Sequence, residues 1–204
     1  MRFGIIGSGS WATALAKILT DNGNAIHWYV RNSDTIQYIQ KRKHNPHYLS
    51  AAYFNQAQLQ LTNDVLELVN AVDVIVVAVP SAYVSSIFEG IDASLLEGKK
   101  IVSAVKGILP DHNVLLNQYL HTKFNFPLDQ YFTLLGPCHA EEVAAEPDVL
   151  VQRGVSQFQA PRLVDGTGHR RRLRRQDHLG AVGAHGVDAF LAGVFRHHQD
   201  HLVA

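Results

Sequence analysis

Four places in this 204-residue chain carry residue types that could do chemistry. Gly7-Ser8-Gly9-Ser10-Trp11-Ala12 has the G-x-G-x-x-A spacing of a loop that cradles phosphates. Gly7 would allow a tight turn. Gly9 would let backbone approach a pyrophosphate with no Cβ between them, and Ala12 is small enough for close helix–strand packing. Arg31 stands where an acidic residue would grip a ribose 2′-hydroxyl, and an arginine there suits a 2′-phosphate or stacks on adenine. Lys106 could offer an ammonium to a carbonyl or a phosphate, or simply carry its charge from a strand end to water. Gly136-Pro137-Cys138-His139 could open a second anion site, with Cys138 as a small polar contact or, less simply, a thiolate nucleophile.

These groups need elements that bring them to one edge. Phe3–Ile6 reads as a short apolar strand directly before the glycine loop, and Thr13 to Asp21 as a helix burying Leu15, Ile18 and Leu19 beside Trp11. Ala25 to Val30 is the second strand, ending at Arg31. Ser33 is expected to cap a helix running to Lys43. His44-Asn45-Pro46-His47-Tyr48-Leu49 is a loop, because Pro46 lacks an N–H and restrains Asn45. Leu59–Thr62 is a third strand. Asn63 or Asp64 then caps a short helix to Asn70. Asp73 to Val79 and Lys100 to Val105 are runs of the kind found in strands covered on both faces of a parallel sheet. They end at Pro80-Ser81 and at Lys106-Gly107, on the carboxyl edge where open α/β sheets bind ligands. Helices are expected over Ala82–Ile91 and Asp111–Phe124, and a last strand over Tyr131–Leu135. The expected fold is a Rossmann-like, doubly wound, mainly parallel α/β sheet.

Composition narrows the function classes. Formal net charge is zero, so no global field draws the chain to nucleic acid or to a membrane surface. Cys138 is the only cysteine, so no disulfide forms within the chain, which fits a reducing compartment. No apolar run approaches the roughly 20 residues that span a bilayer, and the cytoplasm is the expected location. His44 and His47 have no third ligand nearby in sequence, so no metal site is expected.

Five motifs in order resemble bacterial NAD(P)-dependent glycerol-3-phosphate dehydrogenase. Residues 7–16 match its G-x-G-S-W-G-T-A-L-A, with Ala12 for glycine, and residues 44–49 match its N-P-x-Y-L loop. Val79-Pro80-Ser81 and Ser103-Ala104-Val105-Lys106-Gly107 match its V-P-S and S-x-K-G strand ends. Residues 136–143 match its G-P-S-H-A-E-E-V, with Cys138 for the usual serine. The resemblance implies reduction of dihydroxyacetone phosphate to sn-glycerol 3-phosphate by NADPH or NADH, feeding phospholipid synthesis. It implies cofactor contacts from the loop Gly7 to Ala12, above all Ser10 and Trp11, and from Arg31, Tyr48, Pro80 and Ala140. Lys106 would touch both cofactor and substrate as the catalytic residue, and Gly136 and Cys138 would contact substrate. A ketopantoate reductase type is the alternative within the same superfamily; the Gly136–Val143 loop argues against it.

The match stops near residue 146. The family's helical second domain, which supplies a catalytic lysine in a V-L-K-N helix and usually the dimer contact, has no counterpart here. From Pro147 to Ala204 lysine, glutamate, isoleucine, tyrosine and asparagine vanish, and eight of the chain's eleven arginines fall there, five of them in residues 170–175. This tail is read as the product of a shifted reading frame rather than a native domain. A basic arm for nucleic acid, or a metal site at His197, His198 and His201, are the competing readings. The expected division is therefore a dinucleotide-binding domain over 1–146 and an atypical tail over 147–204. One consequence would be a chain that binds the nucleotide without turnover. Another would be an apolar patch exposed where the helical domain should dock.

Overall fold

The structure is a computed structural model that describes residues 1–134 and 139–145. Six parallel strands form one sheet: β1 (Phe3–Ile6), β2 (Ile26–Tyr29), β3 (Leu59–Thr62), β4 (Val74–Val77), β5 (Lys100–Ser103) and β6 (Tyr131–Thr133). Their order is β3-β2-β1-β4-β5-β6. The chain winds outward from β1 to β3, then crosses back to place β4 on the other side of β1. That reversal opens a crevice between the carboxyl ends of β1 and β4, the place where ligands bind in such sheets.

Alternation along the strands builds two cores. Ile5, Val74, Val76, Val102 and Phe132 face one layer with helix α1 (Ser10–Asp21) and helix α6 (Ala140–Ala145). Ile6, Ile75, Val77, Ile101 and Tyr131 face the other, with α3 (Val65–Ala71), α4 (Val84–Phe88) and α5 (Leu116–Phe124). Both faces are covered, which is why β4 reads as unbroken Val-Ile-Val-Val. In α1, Leu15, Ile18 and Leu19 are fully buried as their spacing predicts, each stabilising the fold by about 1.5–3 kcal/mol. Helix α6 lies against α1 and brings Ala140 and Ala144 into the first core.

The structure corrects several boundaries. Helix α2 (Ser33–Arg42) is capped by Asn32, not Ser33: the Asn32 side-chain oxygen accepts from the N–H groups of Asp34 and Thr35. Asn and Ser are both good caps, and Asn32 has the extended backbone that a cap needs. The helix expected from Asp111 begins only at Leu116, because Asn113 turns left-handed (φ 53°) and Leu109 pairs with Val114 as an antiparallel bridge. The helix expected over Ala82–Ile91 is a 3₁₀ turn at Ser81–Tyr83 followed by α4 alone. Strands β4, β5 and β6 are shorter than the apolar runs that hold them.

Candidate functional site

The glycine loop leaves β1 at the crevice. Gly7 has φ 126°, a conformation L side chains rarely adopt, and an added Cβ would overlap the Ala78 carbonyl just past the end of β4. Glycine is required there by the fold itself. Gly9 is different. Its backbone is ordinary (φ −74°), and a Cβ built on it would meet nothing within 4 Å. Neither backbone conformation nor packing demands glycine at this position, which fits a surface kept clear for a ligand.

The carbonyls of this loop are turned into the protein. Gly7 O accepts from the Trp28 indole N–H at 2.6 Å. Ser8 O accepts from the Asn45 side-chain amide at 3.1 Å. Gly9 O accepts from both the backbone N–H and the hydroxyl of Thr13, at 2.9 and 2.8 Å. Helix α1 starts at Ser10, with no acidic residue in its first turn and no side-chain cap among the described residues. The leading N–H groups of a 12-residue helix therefore face the crevice at its positive end. An anion is the natural partner for that arrangement. Ser8, Gly9, Ser10 and Trp11 are partly exposed around it, while the Ala12 methyl is fully buried against the core.

Along the same edge, Arg31 follows β2, with its guanidinium 5.7 Å from the centre of the exposed Tyr83 ring. Asn63 donates to the Ser33 hydroxyl beside it, at 3.1 Å. On the other side of the switch, Pro80 is exposed after β4. Lys106 is exposed after β5, followed by Gly107 at φ 85° and a half-exposed Ile108. β5 lies two strands from β1, about 10 Å at the usual strand spacing. Arg31, Gly9, Pro80 and Lys106 thus lie in line along one edge, as the sequence pattern requires. Tyr48 is exposed on the loop that Asn45 ties to Ser8. The Ala140 side chain is buried in the core that α1 and α6 share. Gly136 and Cys138 lie outside the described residues, as do Leu135 and the tail from Glu146.

Three site supports escape the sequence reading: Trp28, Asn45 and Thr13, all buried and all bonded to the glycine loop. Tyr83, the partner of Arg31, is a fourth. Thr13 and Asn45 fall within two of the family motifs, which assign them no role, and Trp28 falls in none. Among the described residues no group of three or more His, Cys, Asp or Glu is placed to hold a metal, and His44 stacks edge-on between Tyr38 and Tyr53.

The family model for the N-terminus of NAD-dependent glycerol-3-phosphate dehydrogenase matches residues 2–151. The chain belongs to this family. Glycerol-3-phosphate dehydrogenase (NAD(P)+) of Bacillus subtilis is 32% identical over 140 residues, covering 68% of this chain and 40% of that relative. The Prosthecochloris aestuarii protein of the same name is 31% identical over 180 residues, covering 88% of this chain and 54% of its own. A crystal structure of glycerol-3-phosphate dehydrogenase from Coxiella burnetii superposes with a TM-score of 0.63 at 27% identity, over 71% of this chain and 43% of that one. The chain spans only about two-fifths to one-half of the length of these relatives. Membership of the glycerol-3-phosphate dehydrogenase family agrees with the five motifs and with the parallel sheet. No helix among the described residues is long and apolar enough to cross a membrane.

Proposed function

We propose that this chain is the nucleotide-binding half of a cytoplasmic sn-glycerol-3-phosphate dehydrogenase. The observation that carries this reading is the open Gly9 position at the head of α1, at the β1/β4 switch of a chain the family model matches. NADPH or NADH, when bound, supplies the hydride that reduces the carbonyl of dihydroxyacetone phosphate. The chain's own residues bind and orient. The amides of Gly9, Ser10 and Trp11 hold the pyrophosphate, and Arg31 takes the adenosine end and tolerates a 2′-phosphate. Tyr48, Pro80 and Ala140 contact the nucleotide. Lys106 holds the substrate's carbonyl oxygen or phosphate, a cation aimed where negative charge develops. Gly136 and Cys138 contact the substrate phosphate.

The resemblance places a catalytic lysine in a V-L-K-N helix, a sequence that does not occur among these 204 residues, so these residues by themselves are expected to hold nucleotide without turnover. Residues 1–146 form the nucleotide-binding domain. Residues 147–204 are not a native domain, as the simultaneous loss of five residue types suggests. The Prosthecochloris alignment favours a second reading of the tail as family sequence, since 88% of this chain cannot be covered without passing residue 147. Resequencing the coding DNA separates the two: an intact frame through this boundary would sink the first.

The activity reading is tested by titrating the purified chain with NADPH and NADH, then adding dihydroxyacetone phosphate and following nicotinamide absorbance. Binding without turnover is expected. Turnover would mean that the chain contains a proton donor, and no binding would refute the nucleotide reading. Lys106→Met should leave nucleotide-free stability unchanged while abolishing any effect of dihydroxyacetone phosphate on the bound nucleotide's fluorescence.

A further inference from the structure

We propose that Asn45 is a positioning residue of the nucleotide site, setting the glycine loop and the Tyr48 loop as one unit. The proposal rests on the nucleotide-binding reading above. Asn45 is 1% exposed, so its amide must find partners inside the protein. It donates to the Ser8 carbonyl at 3.1 Å and to the Thr13 hydroxyl at 2.9 Å, and its oxygen accepts from the His47 N–H at 2.9 Å.

These partners fix the direction of every bond. The Ser8 carbonyl can only accept and the His47 amide can only donate, so the Asn45 side chain has one orientation. Thr13, receiving a hydrogen from Asn45, turns its own hydrogen to the Gly9 carbonyl at 2.8 Å. One buried amide thus draws the Ser8 carbonyl into the protein directly and, through the Thr13 hydroxyl, adds a second bond to the Gly9 carbonyl, which the Thr13 N–H of α1 also holds. Gly7 has its own donor in Trp28 and does not depend on Asn45.

This has a consequence for ligand binding. A loop carbonyl released from its inward bond can swing toward the crevice and set a negative dipole end against a phosphate. Holding Ser8 O inward, beside a Gly9 O already bonded to the first turn of α1, leaves the N–H groups as the surface an anion meets. The same amide anchors His47, one residue before Tyr48, and Pro46 limits the backbone between them. The loop that carries Tyr48 and the loop that carries Gly9 therefore share a single side chain.

The test compares wild type with Asn45→Leu, Asn45→Asp and Thr13→Val, using Phe88→Leu as a control that loosens the opposite core. Two readouts are taken on each folded protein: the dissociation constant for NADH, and amide hydrogen exchange over residues 7–13 against residues 116–124. Asn45→Leu should weaken NADH at least about tenfold, the equivalent of roughly one well-placed hydrogen bond. It should also accelerate exchange over 7–13 at least tenfold, with no change over 116–124. Thr13→Val should act in the same direction but more weakly, because Ser8 O keeps the Asn45 amide and Gly9 O keeps the Thr13 N–H, and the two effects should not add. Phe88→Leu should leave NADH affinity and exchange over 7–13 unchanged, although it lowers the unfolding midpoint and speeds exchange over 116–124, where Tyr119 and Phe124 pack on the Phe88 ring. Asn45→Asp keeps the oxygen for His47 but cannot donate, and carries the test if Asn45→Leu does not fold. Unchanged loop exchange in the folded variants would overturn the proposal, as would unchanged NADH affinity where wild type binds. If wild type binds no nicotinamide nucleotide, the functional reading falls, and the exchange data alone then decide whether Asn45 sets the loop.

Discussion

The indole N–H of Trp28 donates to the carbonyl of Gly7 at 2.6 Å, inside the core and across 21 positions of sequence. It ties the first loop residue to the second strand, while the Trp28 ring packs at a tilt against Phe54 with centres 5.3 Å apart. Trp28→Phe should keep most of that packing and lose the donor. We expect a loss of about 2–4 kcal/mol, combining lost volume with an unpaired buried carbonyl, measured by urea denaturation. A loss below about 1 kcal/mol would mean that the bond is replaced at little cost.

Gly7→Ala should destabilise the chain by at least about 2 kcal/mol. The backbone is held at φ 126° and the new methyl would overlap the Ala78 carbonyl. Both effects act on the folded protein alone, so equilibrium denaturation without nucleotide is the measurement.

Arg31→Ala removes an exposed guanidinium that lies over the Tyr83 ring. Stability should change by no more than about 0.5 kcal/mol, as for most surface substitutions. NADPH affinity should fall at least about tenfold, and NADH affinity by less, because only the former carries a 2′-phosphate. Parallel fluorescence titrations with the two nucleotides check this. Equal losses would assign Arg31 to adenine stacking instead.

Two groups at the opposite edge of the sheet set a pH dependence. The Arg2 guanidinium, and then the Arg2 backbone N–H, hold the Asp73 carboxyl down at about 2. Because the folded value lies below the usual 3.8, the contribution is complete above that pH and is lost as pH falls through about 2. Burial, helped by the Arg2 charge, also pushes the His27 imidazole below 6.5. Its neutral form is favoured on folding, so its contribution is present above 6.5 and is lost on acidification. Asp73→Asn should reduce the fall in thermal midpoint at the acid end, the more so at low salt since the pair is exposed. Proton NMR should place the His27 midpoint below 6.5.

The sheet was legible because its strands are covered on both sides. Val-Ile-Val-Val in β4 and Ile-Val in β5 leave no polar position to misread, and the order of turn residues after them puts Arg31, Gly9, Pro80 and Lys106 on one edge. Local backbone effects were harder to read. The left-handed turn at Asn113 interrupts a stretch that otherwise suits a helix, and it is held by the Leu109–Val114 pairing rather than by anything periodic. The site's inner supports were hidden for another reason. Asn45, Thr13 and Trp28 lie in a loop, a helix and a strand, and only the folded chain brings them to the same three carbonyls.

Gly9→Ala tests most directly whether the glycine loop meets a nucleotide. Nothing in the protein occupies the space a Gly9 Cβ would take, and its backbone suits alanine. The variant should unfold at the same urea concentration as wild type, yet bind NADH and NADPH at least about tenfold more weakly. Unchanged affinity in Gly9→Ala beside a wild type that binds would contradict the account, because the nucleotide would then lie elsewhere.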